Sequence, residues 1–423
     1  MRDRSVGVWW SLAWQSAWSR RGPLALLVLA IAVAVAMVVS VMQLRQDTRD
    51  TFSNAISGVD LIVGARASPM ELMLYSVFHL GRPVRNMSYS HYEKIVEMPS
   101  VGWAVPLQLG DSFQNFPVVG TTAMFFSKVG GREGLAFAQG QAFTQLFDVV
   151  LGAEVAKASG LRVGDAIVVA HGRGDRLAQD HSDTPFRVSG VLKRTGTPVD
   201  RSVLLSLAGF EAMHVGWEFG SKPREAPSLS TMNLTRLEPS QLTAVLVGLE
   251  SRTQVFAAKR TIESMGTGVL MAILPGVTLD ELWSVLAVAE ATLSAMVWLV
   301  LVSALLGVVA TLLISMAARR REFSVLRALG ASPLHITRFI LLEALLVGGV
   351  GMALGWLFMI VAIAVGGDWL TDLVGVRMQL RAPDAQGWAA LGSVVALMVV
   401  ASLVPAWRAF RLSLHDGLYP PTV

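Results

Sequence analysis

The stretch RRREFSVLRALGASPLHITRFILLEALLVGGVGMALG, residues 319–355, decides the fold of the chain. Its first part predicts a short amphipathic helix that ends at Gly330, since glycine readily takes the left-handed conformation at a helix end. Ser332 and Pro333 form a helix start, because proline lacks the amide hydrogen that first-turn positions leave unused. The stretch therefore predicts a short helix, a break and then a long apolar helix.

Four segments of the chain are apolar enough to cross a membrane. An α-helix rises about 1.5 Å per residue, so about 20 apolar residues span a hydrocarbon core of roughly 30 Å. The 423 residues are 53% hydrophobic and 16% charged, which excludes a disordered or nucleic-acid-coating protein, because such chains carry far more charge. We assign the transmembrane helices to residues 24–42, 284–318, 339–367 and 385–407, the second with a stalk.

The 241 residues between the first two spans have the composition of a water-exposed domain. Short β-branched runs alternate there with Gly, Pro and Asp, as in strands separated by turns. The predicted strands are residues 116–122, 166–170, 186–193 and 202–206. The predicted fold class is thus an α-helical membrane protein with four transmembrane helices and a large mixed α/β extracytoplasmic domain, residues 43–283, inserted between helix 1 and helix 2. Composition shifts suggest a lobe at about 148–215.

The distribution of Lys and Arg predicts the orientation, because cytoplasmic segments retain positive charge. The residues before span 1, between spans 2 and 3 and after span 4, with the adjoining helix ends, carry +7, and the rest of the chain carries −3. Both termini are therefore expected to be cytoplasmic. The cytoplasmic segments are an amino-terminal stretch (1–23), a coupling segment (319–338) and a tail (408–423), and residues 368–384 form an external loop. The tryptophans of 1–23 predict either an interfacial helix or simply the flank of span 1.

The coupling segment, residues 319–338, contains a surface suited to docking on a soluble partner. An apolar face edged by charges favours such a contact, and the alternative is a positively charged anchor with no partner. The candidate docking residues are Arg320, Arg321, Glu322, Phe323, Leu326, Arg327, Leu329 and Gly330.

Two carboxylates and a set of glycines lie in or near the spans. Glu290 fits either a surface residue near the headgroups or a functional carboxylate, and Glu343 is expected to pair with Arg327 or Arg338. Glycines four residues apart permit close helix contact. The glycines of the third span that we single out for such packing are Gly348, Gly351 and Gly355.

Motifs for catalysis are missing from the sequence. None of the six lysines follows a glycine, so the chain lacks the Gly-Lys-Ser/Thr of a phosphate-binding loop, and it has no G-x-S-x-G or H-E-x-x-H. We therefore expect a protein that is not itself an enzyme and binds no cofactor. One segment has metal-ligating residue types, but a solvated hairpin loop explains it equally well. Its candidates are His171, Asp175, Asp180, His181 and Asp183.

The coupling segment and the third span closely resemble the MacB/FtsX-like permeases of type VII ABC transporters, a family that includes the lipoprotein-release permeases. The family pattern is R-x-E, then L-R-A-L-G-A-S, then E-A and spaced glycines. The matching residues are Arg320, Glu322, Leu326, Arg327, Ala328, Leu329, Gly330, Ala331, Ser332, Glu343, Ala344, Gly348, Gly351 and Gly355. The chain departs from MacB in carrying no fused ATPase domain, and its carboxyl end, HDGLYPPTV, differs from the usual D-P-x-x-A-L-R.

The resemblance implies a bacterial inner-membrane permease that works with a separate ATPase. Two ATPase subunits, which hold ATP and Mg, would bind two permease copies, as a homodimer or a heterodimer, at the coupling segment. Closure of the ATPases would move the external domains. A periplasmic or outer-membrane protein is a further candidate partner, and no nucleic-acid partner is expected. The substrate would be a lipoprotein, an amphiphile or a peptide, moved on the outer side. Alternatives are a scaffold that actuates an external cell-wall hydrolase and a metal-handling membrane protein.

Overall fold

The computed structural model describes residues 21–81, 83–130, 134–171, 185–214, 239–265, 268–318, 324–325, 328, 330–374, 381–383 and 385–411. The chain forms two compact units, a membrane unit up to Thr48 and from Ala287 onward, and an external unit, Arg49–Leu286. The described helices are α1 (Arg21–Ala55), α2 (Pro69–Val77), α3 (Tyr89–Val96), α4 (Met124–Lys128), α5 (Ala153–Ser159), α6 (Leu207–His214), α7 (Val255–Met265), α8 (Pro275–Ala318), α9 (Pro333–Val374) and α10 (Ala385–Arg411). Two short 3₁₀ helices lie at Pro198–Arg201 and Arg252–Gln254.

Four of these helices are long and apolar enough to cross a membrane, which agrees with the four predicted spans. They lie at Leu24–Ala55, Pro275–Ala318, Pro333–Gly367 and Gly387–Arg408. Helix α1 continues past the predicted end at residue 42, because the polar residues that follow include no glycine or proline before Gly58, which has φ +87°. In α1 the apolar residues end well before the helix does. Apolarity therefore predicts the membrane-spanning part of the helix and not its full length.

The core of the membrane unit is a cluster of apolar side chains from all four helices. Helix α8 contributes a narrow stripe at a spacing of three or four residues, and large residues on its other faces are exposed. The buried stripe consists of Leu301, Leu305, Val308 and Leu312. Such a stripe lies on one side of a helix, as in packed helical bundles, and the remaining apolar surface suits a lipid environment.

The external unit is built on one long mixed sheet. Its strands are β1 (Leu61–Ala65), β2 (Met87–Ser88), β3 (Val101–Phe113), β4 (Phe116–Thr121), β5 (Phe137–Gly140), β6 (Asp148–Leu151), β7 (Ala166–Ile167), β8 (Ala170–His171), β9 (Phe186–Leu192), β10 (Val203–Ser206), β11 (Gln241–Leu242), β12 (Ala244–Leu249) and β13 (Leu270–Ile273). The order is β13-β1-β12-β3-β4-β10-β6-β9-β5, with β7 on β9 and β8 on β3, while β11 and β2 form a separate pair. The β4–β10 and β6–β9 pairs are parallel and the others antiparallel.

Apolar layers cover both faces of the central strands. In β1, Leu61 and Val63 enter one cluster and Ile62 enters another, as expected because neighbouring side chains of a strand point to opposite faces. All five residues of β1 are buried. A sheet covered on both faces needs nearly continuous apolar strands, and this explains why β1 and β12 lack an alternating polar pattern.

The structure bears out the mixed α/β fold class and modifies one predicted strand. The run 166–170 forms two short strands because they pair differently: β7 pairs with β9, and β8 pairs with β3. Helix α5 ends at Gly160, which has φ +72° and donates its amide to the carbonyl of Ala156. The lobe predicted at about 148–215 remains a prediction.

Candidate functional site

The described part of the coupling segment has the predicted break between two helices. Gly330 has φ +98°, in the left-handed region that glycine favours, and α9 begins at Pro333. The amide of His335 donates to the carbonyl of Ser332 over 2.9 Å, and the Ser332 hydroxyl lies 2.6 Å from Nδ1 of His335. The chain therefore turns back into an apolar helix within a few residues.

Most of the predicted docking residues lie outside the described part of the chain, so the docking assignment remains a prediction. Of the short helix, residues 324–325 and 328 are described and are helical; Ser324 is buried and Val325 is exposed. The predicted docking residues outside the described ranges are Arg320, Arg321, Glu322, Phe323, Leu326, Arg327 and Leu329.

The glycines of α9 bring this helix against α1 and α10. A methyl group on Gly351 would lie 2.7 Å from Cγ2 of Ile31, and one on Gly355 would lie 2.5 Å from the carbonyl oxygen of Ala32. A methyl group on Gly348 would instead meet the thioether of Met398 in α10. The absence of a side chain at these positions thus permits close contact between the backbones of α9 and α1.

The carboxylate of Glu290 forms an ion pair that the sequence did not indicate. Its Oε2 lies 2.9 Å from Nε of Arg45, which joins α8 to α1. Arg45 is the first charged residue after the first apolar run, and only its opposite charge could have suggested it as the partner of Glu290. Glu343 is buried within α9, with 5% of its surface exposed. Its predicted pairing with Arg327 or Arg338 remains a prediction.

The external unit contains an ion pair between a partly buried histidine and a buried aspartate, which sequence reasoning missed. Nε2 of His214, at the end of α6, lies 3.1 Å from Oδ2 of Asp111 on β3, and Nδ1 lies 2.8 Å from the carbonyl oxygen of Phe210. Both partners accept hydrogen bonds, so both are satisfied only by the doubly protonated ring. Burial lowers the pKa of His214, but the hydrogen bond and charge of Asp111 and the Phe210 carbonyl raise it more, so the net pKa is raised.

A second buried carboxylate organises the loop before β10. Asp200 accepts hydrogen bonds from the amides of Thr195 and Gly196, at 2.9 and 2.7 Å, and from the Thr195 hydroxyl at 2.8 Å. Nearby, Nδ1 of His79 lies 2.8 Å from the hydroxyl of Ser202. Asp200 and His79 contact only backbone amides and hydroxyl groups in these hydrogen bonds, so the bonds hold the loops in place.

The metal-like segment is largely outside the described residues. Asp175, Asp180, His181 and Asp183 fall there, and His171 is described only as part of β8. Within the ranges that the structure covers, no group of three or more His, Asp or Glu side chains is placed to hold a metal ion. Metal binding by residues 171–183 therefore remains an untested expectation.

Two models of known protein families match the chain, each over a different part of it. Residues 24–265 match the family model of the MacB-like periplasmic core domain, and residues 294–414 match that of the FtsX-like permease C-terminal region. Together these define a permease subunit of an ABC transporter. The chain belongs to the MacB/FtsX-like family of such permeases, as the resemblance of the coupling segment implied, and it is an inner-membrane protein with an extracytoplasmic domain.

Two solved structures are similar to part of the chain. One is the periplasmic region of MacB from Actinobacillus actinomycetemcomitans, with 14% identity and a TM-score of 0.35, covering 54% of this chain and 95% of that one. The other is the extracellular domain of YknZ, a noncanonical ABC-type transporter from Gram-positive bacteria, with 11% identity and a TM-score of 0.31, covering 51% and 99%. A search of curated proteins gives no match.

Proposed function

We propose that this permease couples ATP hydrolysis by a separate ATPase subunit to movements of its extracytoplasmic domain, and thereby exports or extracts a lipoprotein, an amphiphile or a peptide. The observation that carries the proposal is the continuity of two helices. The boundary between the two units falls inside both, between Thr48 and Arg49 in α1 and between Leu286 and Ala287 in α8. Each helix therefore contributes residues to the membrane unit and to the external unit.

Both helices are long enough to transmit a displacement. At about 1.5 Å per residue, the 35 residues of α1 extend about 52 Å and the 44 residues of α8 about 66 Å, against roughly 30 Å for the hydrocarbon core. The only proline of α8 is Pro275, at its first position, where it does not kink the helix. A shift at one end of such a helix reaches the other end without being absorbed by a bend.

The ATPase would act on the coupling segment, which joins α8 to α9. The Gly330 turn and the Pro333 helix start support a short element between two long helices. We further propose two ATPase subunits, which carry ATP and Mg, on two permease copies with cytoplasmic termini. The substrate would be moved on the outer face, where the external unit lies.

Charge reversal in the coupling segment tests the proposal. Full-length permease is co-expressed with its candidate ABC ATPase subunit. Glu322→Lys and Arg327→Glu are compared with Glu281→Lys and Arg260→Glu, matched reversals at exposed positions of the external unit. Co-purification and permease-stimulated ATPase activity should fall for the first pair and stay unchanged for the second. Unchanged co-purification and activity in all four variants would overturn the docking assignment.

A further inference from the structure

Strand β13 lies at one end of the sheet order that the described strands form in the external unit, and it pairs with β1. An edge strand presents backbone N–H and C=O groups that can pair with a strand of another chain. The β1–β13 pairing is antiparallel, and the amide of Arg66 donates to the carbonyl of Val269 over 2.8 Å. Along such a strand, residues that bond to the neighbouring strand alternate with residues whose polar groups point outward. Ala272, three residues after Val269, therefore directs its N–H and C=O away from β1.

Two side chains of α7 bind both outward-facing groups of Ala272. Nζ of Lys259 donates to the Ala272 carbonyl over 2.7 Å, and Oε1 of Glu263 accepts from the Ala272 amide over 3.3 Å. The two side chains also form an ion pair, with Nζ of Lys259 2.8 Å from Oε1 of Glu263. The ion pair and Ala272 thus close a ring of hydrogen bonds at the place where a neighbouring strand would bind.

The packing of α7 on the sheet fixes the position of this ion pair. Ala258 and Ile262, which precede Lys259 and Glu263 in the sequence, are buried in the same apolar cluster as Ala272. Residues four apart in a helix lie on the same side of it, so both charged side chains can reach one residue of β13. Their side chains are 31% and 37% exposed, and an ion pair that water reaches contributes little to stability. Stabilisation of the fold therefore does not explain the arrangement.

The strand itself carries no charge that would keep another chain away. Natural edge strands are commonly protected by a charged side chain or a proline within the strand. The sequence of β13 is LMAI, and the chain has no charged residue between Glu263 and Asp280. Apolar, uncharged strands are the ones that pair most readily with other chains. The charges that cover this edge are therefore supplied by α7.

We propose that the Lys259–Glu263 pair is an edge cap, which keeps the β13 strands of two chains from pairing with each other. Two antiparallel copies of β13 centred on Ala272 would exchange the two hydrogen bonds that Lys259 and Glu263 now form. The excluded partner is thus a second copy of this chain. The cap matters most where two copies are held together, because tethering raises their effective concentration. The proposal goes beyond the proposed function, since it requires neither an ATPase nor a substrate.

Self-association of the full-length permease in detergent tests the edge cap. Lys259→Ala/Glu263→Ala removes both members of the pair. Arg260→Ala/Glu281→Ala is the matched control, because it removes one positive and one negative charge at exposed positions of the external unit. Native mass spectrometry over a concentration series gives the number of chains per particle. The first double variant should form particles with twice as many chains as the parent protein, and the control should keep the parent's number.

Hydrogen–deuterium exchange locates the contact in the same samples. In the dilute double variant, the amide of Ala272 should exchange at least about tenfold faster than in the parent protein, since it loses a hydrogen bond to a charged group. At the concentration at which the particles double, this amide should become protected again. Particles of the parent's size at every concentration would overturn the proposal. So would doubling without renewed protection of Ala272.

A second variant keeps the test decisive if the double alanine variant does not fold. Lys259→Met/Glu263→Met retains long, unbranched side chains that favour a helix, and it removes every polar group of the edge cap. It should show the same doubling and the same renewed protection of Ala272. A folded double methionine variant that keeps the parent's size would overturn the proposal. Because the measurements use the permease alone, their outcome is independent of ATPase docking.

Discussion

Alanine substitutions at the glycines of α9 should affect stability according to what each new methyl group meets. At Gly355 the methyl group would lie 2.5 Å from the carbonyl oxygen of Ala32, and at Gly351 it would lie 2.7 Å from a side-chain carbon of Ile31. Carbon atoms pack at about 3.5–4.0 Å, so both substitutions force α9 and α1 apart. The backbone oxygen cannot rotate away as a side chain can, so Gly355→Ala should be the more harmful.

Gly349 provides a matched control on the same helix, because a methyl group there has no neighbouring atom within 4 Å among the residues that the structure describes. Every Gly→Ala exchange in a helix gains up to about 1 kcal/mol in propensity, so the difference between two such variants isolates the packing effect. Overpacking costs about 1–3 kcal/mol, and we expect Gly355→Ala to be less stable than Gly349→Ala by that amount. Gly348→Ala should lie between them, since Met398 is flexible.

The assay is denaturant-induced unfolding of the detergent-solubilised full-length chain, followed by the fluorescence of its 12 tryptophans. The expected order of stability is Gly349→Ala, then Gly348→Ala, then Gly351→Ala, then Gly355→Ala. Equal free energies of unfolding for Gly349→Ala and Gly355→Ala would refute the close approach of α9 and α1. Gly355→Leu should extend the trend, because a larger side chain separates the helices further.

Three further predictions concern charged groups. A double-mutant cycle of Arg45→Gln and Glu290→Gln should give a coupling of about 0.2–1 kcal/mol, because Arg45 is 45% exposed and water screens the pair; a coupling of zero would contradict a stabilising ion pair. His214→Gln should lower the free energy of unfolding by about 3 kcal/mol at pH 5.5, since it leaves the Asp111 carboxylate buried without its cation. Because the pKa of His214 is raised, the ion pair stabilises the protein fully below about pH 6.5, and this stabilisation is lost as the pH rises through the raised pKa. Urea titrations in which His214→Gln destabilises the protein as much at alkaline pH as at about pH 5.5 would contradict the ion pair. Asp200→Ala should cost about 3 kcal/mol by leaving the loop amides unsatisfied, whereas thermal unfolding unchanged from the parent protein would argue against their hydrogen bonds.

The sequence predicts those features that depend on neighbouring residues. The helix end at Gly330 and the start at Pro333 follow from local backbone preferences, and both are present. The four spans follow from apolarity, although the true end of α1 at Ala55 does not, since a helix needs only the absence of breaking residues to continue.

The features that depend on distant residues could not be predicted. Arg45 and Glu290 are brought together by the packing of α1 on α8, and no local pattern connects them. The division of residues 166–170 into two strands likewise depends on β3 and β9, which lie far away in the sequence. For the glycines, the four-residue spacing predicts close contact but cannot say that α1 is the partner.

The contacts within the membrane unit also indicate which helix–helix interface should move under the proposed function. Gly351 and Gly355 place the backbone of α9 against α1, so few flexible side chains lie between these helices to absorb a displacement. Helix α8 joins the same core through the side chains of its buried stripe, and its Gly307 has no neighbouring atom within 4 Å among the described residues. A force applied at the coupling segment, between α8 and α9, is therefore expected to tilt α8 against a rigid α1–α9 pair, since interdigitated side chains can change rotamers whereas backbones in contact cannot.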